Sequence, residues 1–198
     1  MTKIPYREFD RLRARMVATL HGRVLEIGAG TGANFDALAV DAQWVGLEPD
    51  PDSRAELDVR AAERGYTTPA LSAPAEDIPL ESGSLDAVLG TSVLCSVRDP
   101  AAVLAEVCRV LKPGGRAVFA EHVAAPASTF KRRLQILATP LSVRLDHGCH
   151  WDRDTAALLA AAGLRGDVRR MEISQGILPS VPVILFDGTR GRLPLPLQ

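Results

Sequence analysis

The chain has 198 residues, 46% of them hydrophobic and 24% charged, with a formal net charge of -1. That length fits one domain with its own core, and the near-neutral balance leaves no basic footprint for nucleic acid. No apolar run approaches the roughly 20 residues of a membrane span, no apolar leader opens the chain, and Cys95, Cys108 and Cys149 are scattered, which fits a reducing, cytoplasmic setting rather than a disulfide framework.

Residues 3–20 read as a helix. Ile4, Phe9, Leu12, Met16, Val17 and Leu20 mark one apolar stripe with arginines opposite, and Gly22 ends it. Val24-Leu25-Glu26-Ile27 then reads as a buried strand of a parallel sheet. Gly28, Gly30 and Gly32 follow it. A turn without Cβ atoms takes positive φ and lets a ligand lie on the backbone. A short helix through Leu38 is expected next, its N-terminal N–H groups aimed at the same spot.

Such a turn serves two cofactor classes. Dinucleotide folds write it G-x-G-x-x-G/A with an acid about 20 residues on, and Gly28, Gly30, Ala33 and Glu48 satisfy that pattern. Glu26 tips the choice. A carboxylate two residues before the first glycine would repel a pyrophosphate. It suits a cation such as S-adenosylmethionine (SAM), which carries a sulfonium and an ammonium. A nicotinamide-dependent oxidoreductase, or a SAM-binding module without turnover, stays as the distant alternative.

Gln43 to Glu48 forms the second strand, and Glu48 ends it where an acid can accept from both ribose hydroxyls. Asp50 caps a helix that starts at Pro51, runs to Arg64 and closes at Gly65. Tyr66 to Leu71 reads as a third strand and Ser84 to Thr91 as a fourth. Thr91, Ser92 and Val93 lie at the carboxyl end of the fourth, where open α/β sheets bind ligands. Asp99-Pro100 opens a helix that Lys112-Pro113-Gly114-Gly115 stops. Arg116 to His122 is the fifth strand, which leaves Glu121 and His122 near its active end. Residues 126–150 interrupt the alternation. Phe130, Leu134, Leu137 and Leu141 give an apolar face; Lys131, Arg132, Arg133 and Arg144 read as a solvated basic one. A helix from about Asp152 to Gly163 and strands Val168–Ser174 and Val181–Phe186 complete the pattern.

The E-x-G-x-G-x-G run at 26–32 resembles the first motif of class I SAM-dependent methyltransferases. Pro-Ala-Glu-Asp-Ile-Pro-Leu (74–80) and Leu-Lys-Pro-Gly-Gly (111–115) resemble their general small-molecule branch. The resemblance implies one Rossmann-like α/β domain over 1–198. Its sheet has seven strands, mostly parallel with the last antiparallel, and helices on both faces. A helix within 1–22 covers the cofactor or packs on the sheet, and 126–150 is a cap over the substrate site.

A closer set occurs in order: Gly30-Thr31-Gly32-Ala33-Asn34-Phe35, Val93-Leu94-Cys95-Ser96-Val97, Glu106-Val107-Cys108-Arg109-Val110-Leu111, Glu121-His122-Val123 and Gly148-Cys149, with Asp146 and His147 just before the last pair. Together they resemble the alkyl thiol S-methyltransferases of animals. Those carry a hydrophobic N-terminal anchor that this sequence does not show, so at most a peripheral membrane contact is expected.

The implied cofactor site comprises Glu26, Gly28, Ala29, Gly30, Asn34, Phe35, Glu48, Pro49, Glu76, Asp77, Thr91, Ser92 and Val93, with Asp77 (alternate Glu76) meeting the adenine. The expected partner is a small apolar acceptor, a thiol before an O, N or C nucleophile of a natural product, quinone or phospholipid; the oligomeric state is left open. A free thiol has a pKa near about 8.5, so a modest base suffices. His122 is the best placed, then His147 and His150 in the segment between cap and helix. His147-x-Cys149-His150 lacks a fourth ligand, and no metal is expected.

Overall fold

A computed structural model of the protein describes residues 1–145, 148–174, 176 and 179–191. Its strands are β1 (Thr2–Pro5), β2 (Arg23–Ile27), β3 (Gln43–Leu47), β4 (Leu85–Thr91), β5 (Leu111–His122), β6 (Leu164–Ser174) and β7 (Val181–Arg190). They form a seven-stranded sheet in the order β1-β6-β7-β5-β4-β2-β3. β7 runs antiparallel to both β5 and β6, and the other pairings are parallel. The expected class I architecture, with its last strand reversed, is therefore the observed one.

The helices are α1 (Tyr6–Val17), α2 (Pro51–Glu63), α3 (Pro100–Val110), α4 (Phe130–Leu145) and α5 (Thr155–Ala161). Alternation along the strands sorts the core onto two faces. Leu25, Ile27, Val88 and Phe119 pack with Val103, Leu104 and Val107 of α3 and Leu159 of α5. Val24, Leu89 and Val118 meet Val17 and Leu20 at the end of α1. Phe9 of α1 joins Ala120, Ile173 and Val183. Asp50 and Asp99 cap α2 and α3 through their side chains, each with a proline at the first helical turn.

The structure corrects four expectations. The leading helix begins at Tyr6, because Pro5 holds an extended backbone (φ -63, ψ 149) and restricts Ile4 before it. Thr2–Pro5 instead adds a parallel edge strand beside β6. Tyr66 to Leu71 shrinks to one bridge, Leu47 to Leu71, since Pro69 has no N–H to give a ladder. The seventh strand is thus β1. The glycine turn leads into a single 3₁₀ turn, Phe35–Ala37, rather than an α-helix. Phe35 folds over Gly32, where a Cβ would lie 2.3 Å from its ring, and Leu38 is already extended. The last helix starts at Thr155 and is capped by Asp154, not Asp152.

The chain leaves β2, adds β3 on one side, then returns to add β4 on the other. That reversal opens a crevice at the carboxyl ends of β2 and β4, the usual ligand position in open α/β sheets.

Candidate active site

A cavity of about 1030 Å³ opens at this crevice. One wall is the glycine turn: Gly28, Ala29 and Gly30 line it, with Asn34, Thr91 and Ser92 beside them. Gly28 and Gly30 take φ +59 and +54. A Cβ on Gly28 would meet Val93 Cγ2 at 2.6 Å, while one on Gly30 would meet open space. The backbone is therefore bare toward the cavity and closely backed behind it. Ser92 also sits at positive φ (+53), held by its N–H to Ala120 O at 2.8 Å.

Glu26 stands one layer behind that wall and is buried. Its Oε1 accepts from Asn34 Nδ2 at 2.7 Å and its Oε2 from Trp44 Nε1 at 2.8 Å. Asn34 Nδ2 also donates to Thr91 Oγ1 at 2.7 Å, and Asn34 Oδ1 accepts from Arg13. Burial raises the Glu26 pKa against these bonds and the Arg13 charge. Its carboxyl reaches the cavity only through Asn34, Thr91 and Arg13, all three of which line it.

Glu48 flanks the turn. Its two oxygens accept from Gly30 N at 2.8 Å and Asp50 N at 2.9 Å. Each oxygen keeps a second acceptor site. Phe35 stacks among Trp44 and Tyr66, away from the cavity wall. Pro49 is exposed beside Glu48. Asp77 is exposed, whereas Glu76 accepts from Asp99 N at 3.1 Å.

The rest of the lining comes from Tyr6, Phe9 and Arg13 of α1, with Arg13 reaching Asn34, from Phe130, Leu134 and Gln135 of α4, and from His122 at the end of β5. The leading helix and the cap thus both border the cavity. All four residues of the expected apolar face are exposed, and of them Phe130 and Leu134 also line the cavity. Lys131 pairs with Glu172 at 2.8 Å and Arg132 donates to Asp152 O, so half the basic face is tied inward. Arg13 reads in the sequence with the arginines opposite the apolar stripe, yet its i+4 spacing from Phe9 brings it to the same cavity.

His122 and His150 are treated differently by the fold. His122 lines the cavity and its Nδ1 lies 3.9 Å from Cys149 Sγ. His150 is outside the cavity wall; its backbone N–H donates to Cys95 O at 2.7 Å. Burial and the Arg153 charge lower its pKa. His147 lies outside the described residues.

Three groups that the sequence presents separately meet here. Cys95 Sγ, His122 and Cys149 Sγ offer ligand atoms within 4.8 Å of one another. Burial and the Cys149 thiol push the Cys95 pKa up. The Cys95 loop is pinned on all sides. Glu121 accepts from Val93 N at 3.0 Å and Cys95 N at 3.3 Å, and Arg153 donates to Leu94 O and Val97 O at 2.7 and 2.6 Å. Burial and neighbouring Cys95 push Glu121 up to about 8. No local spacing signals this cluster, because its members come from the ends of β4 and β5 and from the cap.

A bare glycine turn at the reversal point of this sheet, with an acid behind it and another beside it, defines a class I methyltransferase domain. Residues 25–119 match the methyltransferase domain family, and the chain carries a domain of that family. It is 37% identical to human thiol S-methyltransferase TMT1B over 150 residues, 74% of this chain and 62% of that protein. It is 34% identical over 119 residues to the demethylmenaquinone methyltransferase of Clavibacter sepedonicus, 60% of this chain and 49% of that one. The chain spans about three fifths of the length of the first of the curated relatives it matches. The crystal structure of the YcgJ protein from Bacillus subtilis shares the fold, with TM-score 0.75 at 18% identity over 94% of this chain and 100% of that one.

Proposed function

We propose that this domain methylates a small, apolar acceptor from SAM, with a thiol as the preferred nucleophile. The observation that carries the reading is one continuous cavity. It joins the glycine turn at one wall to His122, Phe130 and Leu134 at the other. Its volume exceeds the roughly 300–1,000 Å³ of a single-ligand site, which leaves room for a cofactor and an acceptor together.

The residues present fit SAM. Bound there, it supplies a methyl group already activated by a sulfonium. Gly28, Ala29 and Gly30 give backbone approach, and Glu48 keeps acceptor capacity for ribose hydroxyls. Glu26, through Asn34 and Thr91, biases the turn toward a cationic ligand. Asp77 is exposed in the loop that follows the Leu71 bridge and is assigned to the adenine on the family motif. The protein's task is alignment and exclusion of water. Phe9, Phe130 and Leu134 make the acceptor side apolar, and His122 is the polar group that meets the acceptor. A thiol needs little help to ionise, so one imidazole suffices where an alcohol would need a stronger base.

The test is release of S-adenosylhomocysteine with matched alkyl thiols and alcohols. Turnover with thiols alone supports the reading; turnover with alcohols alone overturns the thiol preference. A second reading, a quinone or lipid acceptor, draws on the exposed apolar residues Phe130, Ile136, Leu137, Leu141 and Leu145 of α4, with Arg133 and Arg144 exposed on the same helix. Among the described residues no helix is long and apolar enough to cross a membrane. Peripheral contact through α4 is the form that reading takes.

A further inference from the structure

The cluster behind His122 has a composition the methyl-transfer reading does not require. Two thiols and one imidazole share a single pocket, and Cys95 and Cys149 are 1% and 3% exposed. Thiolates and imidazole together are the donor set of borderline-soft divalent cations, above all zinc. Two cysteines and a histidine with an open fourth position is one of the arrangements of catalytic zinc.

The geometry points to a divalent soft-metal site, of zinc type, formed by Cys95, His122 and Cys149, with its fourth position turned to the cavity for the sulfur of the acceptor. This deepens the thiol reading and rests on it, with His122 serving as a ligand and the ion taking over the activation of the thiol from the free imidazole. The spacing is close to what the ion needs. Zn–S bonds of about 2.3 Å and Zn–N bonds of about 2.0 Å at tetrahedral angles put sulfur and nitrogen about 3.5 Å apart; Cys149 Sγ and His122 Nδ1 are 3.9 Å apart. All three ligand atoms already lie within 4.8 Å of one another. Of the three residues, only His122 lines the cavity. The two cysteines are buried behind it, so His122 is the member of the set that borders the acceptor space.

The frame is rigid where a ligand set needs it. Glu121 and Arg153 hold the N–H and C=O groups of the Cys95 loop, and His150 N–H holds Cys95 O. Ser142 Oγ donates to Cys149 O at 2.7 Å. Such supporting bonds fix ligand directions before the ion arrives.

The binding steps balance simply. Each cysteine gives up its S–H proton to water as its sulfur binds the ion. An acceptor thiol then displaces a metal-bound water; its S–H bond breaks, a metal–sulfur bond forms, and the proton leaves to solvent. The acceptor is thereby held as a thiolate at neutral pH.

The full chain, reduced and stripped with a chelator, would be titrated with Co²⁺ and then Zn²⁺. The expected result is stoichiometric uptake, with thiolate-to-cobalt charge-transfer bands and tetrahedral d–d bands that zinc abolishes. Cys95→Ser and Cys149→Ser lose these bands, and Cys108→Ser keeps them. Adding an alkyl thiol without SAM shifts the d–d bands, and the matching alcohol does not.

Absence of thiolate bands in the unaltered chain, or their survival in both Cys95→Ser and Cys149→Ser, overturns the site. So does rapid Cys95–Cys149 disulfide formation that zinc fails to block. Full thiol methylation by the stripped chain overturns the metal's role while the thiol reading stands. Cobalt bound through these ligands, with methylation of alcohols alone, overturns the fourth-ligand assignment together with the thiol reading.

Discussion

Cys149 Sγ stands 3.9 Å from Nδ1 of His122, although the whole cap separates them in the chain. The cap leaves the end of β5, runs out along α4 and returns to place Cys149 against the strand it left. Its return is fixed by Ser142 on Cys149 O and by His150 N–H on Cys95 O. One side of the cavity is therefore closed by a segment that ends beside its own starting point.

His122 occupies the acceptor side alone among the described histidines. Replacing it with Ala is expected to lower turnover by about 10²-fold or more, the usual scale for a positioned proton-handling group. SAM affinity should not change, because the glycine turn is on the opposite wall. Single-turnover rates beside calorimetric SAM titration check this. Equal rates across pH would remove His122 from the chemistry.

Glu48→Ala removes both the acceptor of Gly30 N–H and the proposed ribose contact. The expected cost in SAM binding is roughly 1.5–3 kcal/mol, the range for a hydrogen bond to a charged group. Calorimetry with SAM and with a ribose-deoxygenated analogue separates the two roles. An analogue that loses nothing on the unaltered protein would sink the ribose contact.

Gly28→Ala is expected to destabilise the chain and abolish SAM binding together. Its φ of +59 already costs about 1 kcal/mol for a residue with a Cβ, and the new methyl would lie 2.6 Å from Val93 Cγ2. Val93→Ala in the same chain should restore part of the stability. Thermal unfolding of the single and double variants reads that coupling.

Glu26 predicts a pH dependence. Burial raises its folded pKa above the ordinary carboxyl value, so the folded state binds more protons than the unfolded one. That contribution to stability is fully present below about 4.5 and is lost as pH rises through the folded value, at a slope of at most about 1.4 kcal/mol per pH unit. Glu26→Gln, which mimics the protonated acid, should match the unaltered chain in acid and flatten this slope. Denaturant midpoints between acid and neutral pH test it; parallel curves would show that folding leaves the Glu26 pKa unshifted.

The wall built by the glycine turn was legible in the sequence because it is local. Gly28 to Asn34 is one stretch of chain, and an E-x-G-x-G-x-G run can satisfy few backbone paths. The strands β2, β4 and β5 were legible for the same reason, as apolar runs between turn residues. The N-terminal strand was not, because Thr2–Pro5 has no alternation strong enough to announce pairing with β6, a partner almost the whole chain away. Phe35 was assigned to the cofactor on its place in a motif, yet it folds over Gly32 into an aromatic group with Trp44 and Tyr66 that only packing reveals.

The sequence by itself determined the fold class and the side of the sheet on which a ligand sits, since hydrophobic period, glycine placement and capping residues act over a few positions. Only the tertiary structure decided what faces what. It set Glu26 behind the wall rather than on it, put His122 in the cavity and His150 outside, and drew Cys95 and Cys149 to one imidazole. Those relations are made across the sheet and the cap, where side-chain direction depends on packing that no single stretch of chain encodes.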